Sequence, residues 1–78
     1  MCMLRNYVDQ LHDSGYRVSY IKEQIAKVAG VRSVRSVDSW LNADCEPNAS
    51  KAVTIAGWFA KKLGKEVRVE DIWPIATN

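Results

Sequence analysis

A small all-α fold of four to five helices is what this sequence predicts, and three features carry the prediction. Apolar residues recur at three- and four-residue spacing in four successive segments, glycines stand where three of those segments end, and no strand-rich run is present apart from a brief alternation at Glu66-Val67-Arg68-Val69. Leu4, Tyr7, Val8 and Leu11 form the apolar stripe of a first helix over residues 3 to 13, and Asp13-Ser14-Gly15 turns the chain after it. Ser19 is the expected N-cap of a second helix, with Ile21, Ile25, Val28 and Ala29 on its inner face and Lys22, Glu23 and Lys27 in solvent, ended by Gly30. Ser33 is placed to cap a third helix whose Val37, Trp40 and Leu41 point inward and which stops near Asn42. After a polar loop to Pro47, Asn48 or Ser50 caps a fourth helix carrying Ala52, Val53, Ala56, Phe59, Ala60 and Leu63, closed by Gly64. A single turn at Glu70-Asp71-Ile72-Trp73 follows, and Pro74 stops it.

The 78 residues read as a single domain, with 47% hydrophobic and 26% charged residues, which are ordinary globular proportions. A domain of this size has little room for an internal substrate cavity, which argues against an enzyme. No apolar run approaches the roughly 18 residues that cross a bilayer, and Met1 to Asn6 does not read as a signal peptide, so the expected location is cytoplasmic with no membrane partner. Cys2 and Cys45 are expected to be free thiols in that compartment. His12 has no acidic or cysteine partner at ligand spacing, no glycine-rich phosphate loop or nucleophile elbow occurs, and neither a metal, a cofactor, a catalytic group nor a small-molecule substrate is expected.

The net charge is only +2, yet it is unevenly spread. Residues 17–42 carry Arg17, Lys22, Lys27, Arg32 and Arg35 against Glu23 and Asp38, so the surplus sits on the second and third helices. A basic surplus gathered on one face favours phosphate, because each neutralised phosphate releases condensed counterions. In the same stretch, Ala26 allows close helix crossing, Gly30 allows a left-handed corner and Val31 plugs it. Val37, Trp40 and Leu41 then seat the third helix, with Val34, Arg35, Asp38, Ser39 and Asn42 on its outward side.

Ile25-Ala26, Gly30-Val31, Val37-Asp38-Ser39-Trp40-Leu41-Asn42 and Pro47 resemble the lambda-repressor-like helix-turn-helix regulators of the Cro and XRE type. Ala56 to Gly64 with Val69 to Trp73 resembles that family's closing helices, and Asp71-Ile72-Trp73-Pro74 is similar to the tail of Ner-type phage regulators. The helix-turn-helix falls at about residues 19–42. From Val31 to Val37 the chain takes six steps where the family pattern normally takes five, so the turn is one residue longer and either Arg32 or Ser33 can cap the third helix.

The resemblance implies a sequence-specific double-stranded DNA-binding regulator, a phage or prophage repressor that occupies an operator as a homodimer. Arg35 is then the first candidate for bidentate binding of guanine O6 and N7, Val34 for a thymine methyl group, and Ser39 and Asn42 for bases or phosphates. Asp38 either accepts from cytosine N4 or pairs with Arg35, the second being favoured. Lys22 and Arg32, with Ser33 as a possible cap beside them, would grip the sugar-phosphate rails. Asn48, Ser50 and Lys51 form either a second phosphate clamp or an ordinary helix cap. Trp40, Trp58 and Phe59 are read as core residues instead of base-stacking platforms. The dimer surface is expected between the fourth helix and the C-terminus, at Ile55, Trp58 and Ile72 to Ile75. Two other readings remain: an excisionase- or antitoxin-like DNA-binding protein, and a helical adaptor whose arginines meet an acidic protein.

Overall fold

A computed structural model describes residues 2–74, and all of its regular structure is helical. The helices are α1 (Leu4–Asp13), α2 (Val18–Ala29), α3 (Val34–Leu41), α4 (Ala49–Leu63) and α5 (Val69–Ile72). No strand forms among the described residues, so the alternation at 66–69 is not used as one. Instead Val67 and Ile72 turn inward and the exposed Arg68 precedes α5, with its backbone N–H donating to the Asp71 carboxylate at 3.0 Å. No described helix is long and apolar enough to cross a membrane.

The core is where the helical spacing puts it. Leu4, Val8 and Leu11 of α1, Ile21, Ile25, Ala26 and Ala29 of α2, and Ala52, Ile55, Ala56 and Phe59 of α4 make one buried cluster with α3 and α5. Each fully buried Leu, Ile or Phe contributes about 1.5 to 3 kcal/mol relative to exposure, so this shared cluster is what holds five short helices that would not persist singly in water. α2 is the hub: it packs on α1, α3 and α4. The two ends of the described chain close on each other, since Met3 N–H donates to the Ile72 carbonyl at 2.7 Å.

Three features differ from what the sequence suggests. Ser19 lies inside α2 and does not cap it; extended Arg17 (φ −73°, ψ 143°) is the N-cap, and its side chain makes no capping bond. The chain leaves α1 through Gly15 and Tyr16, whose N–H groups donate to the His12 and Leu11 carbonyls, and this fixes where the next helix can begin. Val53 does not face inward on α4 but stands 61% exposed, because the inner stripe is held by Ala52, Ile55, Ala56 and Phe59. Ile55, Ile72 and Trp73 are not surface residues available to a second copy: all three are buried in the core of one chain. Trp58 is half-buried, edge-on to Phe59 with ring centroids 5.1 Å apart, and Ile75 lies outside the described residues.

Candidate nucleic-acid interface

The turn between α2 and α3 is built by backbone hydrogen bonds that only a left-handed residue permits. Gly30 has φ 75°, its N–H donates to the Lys27 carbonyl at 3.2 Å, and the next N–H, of Val31, reaches back to the Ala26 carbonyl at 3.0 Å. Those two bonds form a Schellman motif, which satisfies the last carbonyls of α2 and reverses the chain sharply. Ser33 then starts α3: its backbone is extended and its Oγ accepts from the Arg35 N–H at 3.1 Å. Of the two candidate caps, Ser33 is the one used, and Arg32 is left exposed in the turn.

Once capped there, α3 divides its surface cleanly. Val37, Trp40 and Leu41 are buried against α1 and α2, and Cys2 Sγ reaches the Trp40 carbonyl at 3.5 Å over the far end. At 100° per residue, Arg35, Ser39 and Asn42 fall on the opposite side, with Ser36 and Asp38 on the two flanks. Arg35 and Asn42 are exposed; Ser36, Asp38 and Ser39 are half-buried. Val34 belongs with the inward residues and not with the outward ones: it lies about 60° from Val37 around the helix and packs against the core, which leaves its methyl groups only partly available.

Two outward side chains are tied to other helices. Lys22 Nζ meets Asp38 Oδ1 at 2.8 Å, joining α2 to α3. This replaces the expected Arg35 to Asp38 pair, because Asp38 lies on the flank facing α2, whereas Arg35 lies nearer the outer side. Arg5, from α1, donates to Asn42 Oδ1 at 3.3 Å. Among the described residues, the Arg35 guanidinium and Ser39 hydroxyl have neither a hydrogen-bond nor an ion-pair partner.

The second expected clamp is in the first place a helix cap. Asn48 Oδ1 accepts from the Lys51 N–H at 2.9 Å, Ser50 lies inside α4, and the Ser50 carbonyl accepts from Thr54 Oγ1 at 3.0 Å. All of this is at the surface, and the N–H groups of Ala49 and Ser50 still point out from the positive end of α4.

His12 Nδ1 donates to the Tyr16 carbonyl at 3.0 Å, Cys2 and Cys45 are free thiols, and burial, with the Asp71 carboxylate second, pushes the Tyr7 phenol above its ordinary value. No three His, Cys, Asp or Glu side chains converge among the described residues, so no set of metal ligands is assembled there. Two contributors to the α3 surface carry no signal in the sequence. Arg5 is thirty-seven positions from Asn42. Ala43, which closes α3, has a left-handed backbone at φ 61° where glycine is the usual choice.

The class these features define is a five-helix α domain with one short helix displayed on a tight turn. Comparison with protein-family models, curated proteins and solved structures finds no match to this chain.

Proposed function

We propose that this protein is a sequence-specific, double-stranded DNA-binding regulator of the lambda-repressor-like type that represses by occupying an operator as a homodimer in the cytoplasm. The observation that carries the reading is the division of α3: Val37, Trp40 and Leu41 are sunk into the core, while Arg35, Ser39 and Asn42 stand outward in the most basic stretch of the chain. An eight-residue helix is about 12 Å long and fits the major groove, where Arg35 binds guanine O6 and N7 and Ser39 and Asn42 complete the contact. Arg32 in the turn, and the N–H groups at the start of α4 with Lys51 beside them, grip phosphate and fix register without reading sequence.

One such domain covers few base pairs, so useful affinity calls for two copies on a two-fold site with half-sites about 34 Å apart. The described chain measures 38 × 27 × 19 Å along its principal axes, so two copies side by side hold equivalent points at separations that bracket that spacing. With Ile55, Ile72 and Trp73 committed to the core, the large apolar side chains that α4 leaves at least partly exposed for pairing are Val53, Trp58 and Leu63.

Selection from a random duplex pool followed by salt-titrated binding tests the reading. A defined consensus is expected, with affinity that falls steeply with salt and survives competitor DNA. Retention of an acidic protein with no enrichment of any duplex sequence would replace this reading with the adaptor.

A further inference from the structure

The ion pair between Lys22 and Asp38 points to a device that the DNA reading does not require. We propose that Asp38 is a positioning residue that acts through Lys22, holding its ammonium away from phosphate and so restraining the electrostatic affinity of the whole surface. The inference rests on the DNA-binding reading and deepens it.

Lys22 and Asp38 each sit about one turn into their helices, Nζ to Oδ1 is 2.8 Å, and their side chains are 29% and 47% exposed. A pair this accessible adds little to folding, since solvent screens it. Its effect on a polyanion is larger, because a lysine matched by a carboxylate displaces no counterion from the duplex, and the carboxylate itself is repelled by phosphate. The neighbouring cations are not restrained in this way. Arg17, Lys27, Arg32 and Arg35 are exposed, and among the described residues none has an acidic partner. The stretch contains one other acid, Glu23; it is exposed on α2 and pairs with nothing there, so it supplies an internal comparison for bulk charge.

Releasing Lys22 should add one phosphate contact. That steepens the slope of log K against log salt by about 0.9 and, taking the electrostatic contribution to vanish near 1 M, tightens binding about fivefold at about 0.15 M salt. The gain is shared by cognate and random duplex, because the base contacts from Arg35 and Ser39 are unchanged. A regulator restrained in this way leaves random DNA sooner during its search.

The test is fluorescence anisotropy with the full chain and a labelled random-sequence duplex over about 50 to 300 mM salt. Asp38→Asn, Glu23→Gln, Lys22→Ala and the Lys22→Ala/Asp38→Asn double variant are compared with the parent, with Asp38→Ser as a second neutral replacement. Circular dichroism confirms that each is folded. Asp38→Asn and Asp38→Ser are expected to steepen the slope and tighten binding by the amounts given, Glu23→Gln to leave the slope near the parent's, and the double variant to lose the steepening. Equal slopes for Asp38→Asn and Glu23→Gln would overturn the role of Asp38, as would steepening that persists without Lys22. A folded parent with no salt-sensitive duplex affinity overturns the DNA reading, and this inference falls with it.

Discussion

The two residues that bracket α3 make opposite predictions from the same backbone geometry. Gly30 and Ala43 both adopt the left-handed region, at φ 75° and 61°, and both close a helix through paired N–H donations. At Ala43 these run from its own N–H to the Trp40 carbonyl at 3.2 Å and from the Asp44 N–H to the Ser39 carbonyl at 2.9 Å. An L-residue in that region costs about 1 to 2 kcal/mol, and about 0.4 to 1 kcal/mol of this is offset because alanine has less freedom than glycine to lose from the unfolded chain. A Cβ built on Gly30 meets nothing within 4 Å, so the change there is conformational only. Gly30→Ala should therefore destabilise by about 1 kcal/mol and Ala43→Gly should stabilise by a similar amount, each moving Tm by about 4 to 8 °C for a domain of this size. Thermal denaturation followed by circular dichroism reads both. If the two variants shift Tm in the same direction, or if Gly30→Ala stabilises, the turn that presents α3 is not the one described.

Further outcomes follow from packing, charge and the outward side of α3. Gly57 lies mid-α4 and exposed, with nothing within 4 Å of a built Cβ, so Gly57→Ala should raise stability by about 0.5 to 1 kcal/mol in urea denaturation. Ile72 is fully buried in the single chain, so Ile72→Ala should cost about 2 to 5 kcal/mol at every protein concentration, whereas an interface residue would show a loss that depends on concentration. The raised Tyr7 phenol means that the unfolded chain gives up its proton first; stability is intact below about pH 10 and falls as pH rises toward the folded-state value, and Tyr7→Phe should lessen that fall in alkaline melts. Arg35→Ala should cost about 1 to 3 kcal/mol on the selected duplex and little on random duplex, read by competition binding.

The features legible in the sequence are those decided within one helical turn. Gly30 and Gly64 end helices because a left-handed residue is required there, and Ser33 and Asn48 start them because their side chains reach an N–H two or three residues ahead. Trp40 and Phe59 are core residues on spacing alone. The N-cap of α2 is less legible, since it depends on how the chain leaves Gly15 and not on whether a serine is nearby. Least legible are the partners chosen across helices. Asp38 has a cation three residues before it in sequence, yet pairs with one sixteen residues away because the α2 to α3 crossing brings Lys22 to its flank. For the same reason Ile55, Ile72 and Trp73, apolar and plausible as an interface, are consumed by the core when α5 folds back onto α4. The outward side of α3 is largely legible in the sequence; the ion pair between Lys22 and Asp38 across its flank is not.

Whether the side of α3 opposite Trp40 is the surface that meets DNA can be read by titrating the nitrogen-15-labelled chain with its selected duplex and following backbone amide resonances. The largest shifts are expected at Arg35, Ser39 and Asn42, with smaller ones at Arg32 and at the start of α4. Shifts gathered instead around Val53 and Gly57 on the outer face of α4, with α3 undisturbed, would contradict that expectation.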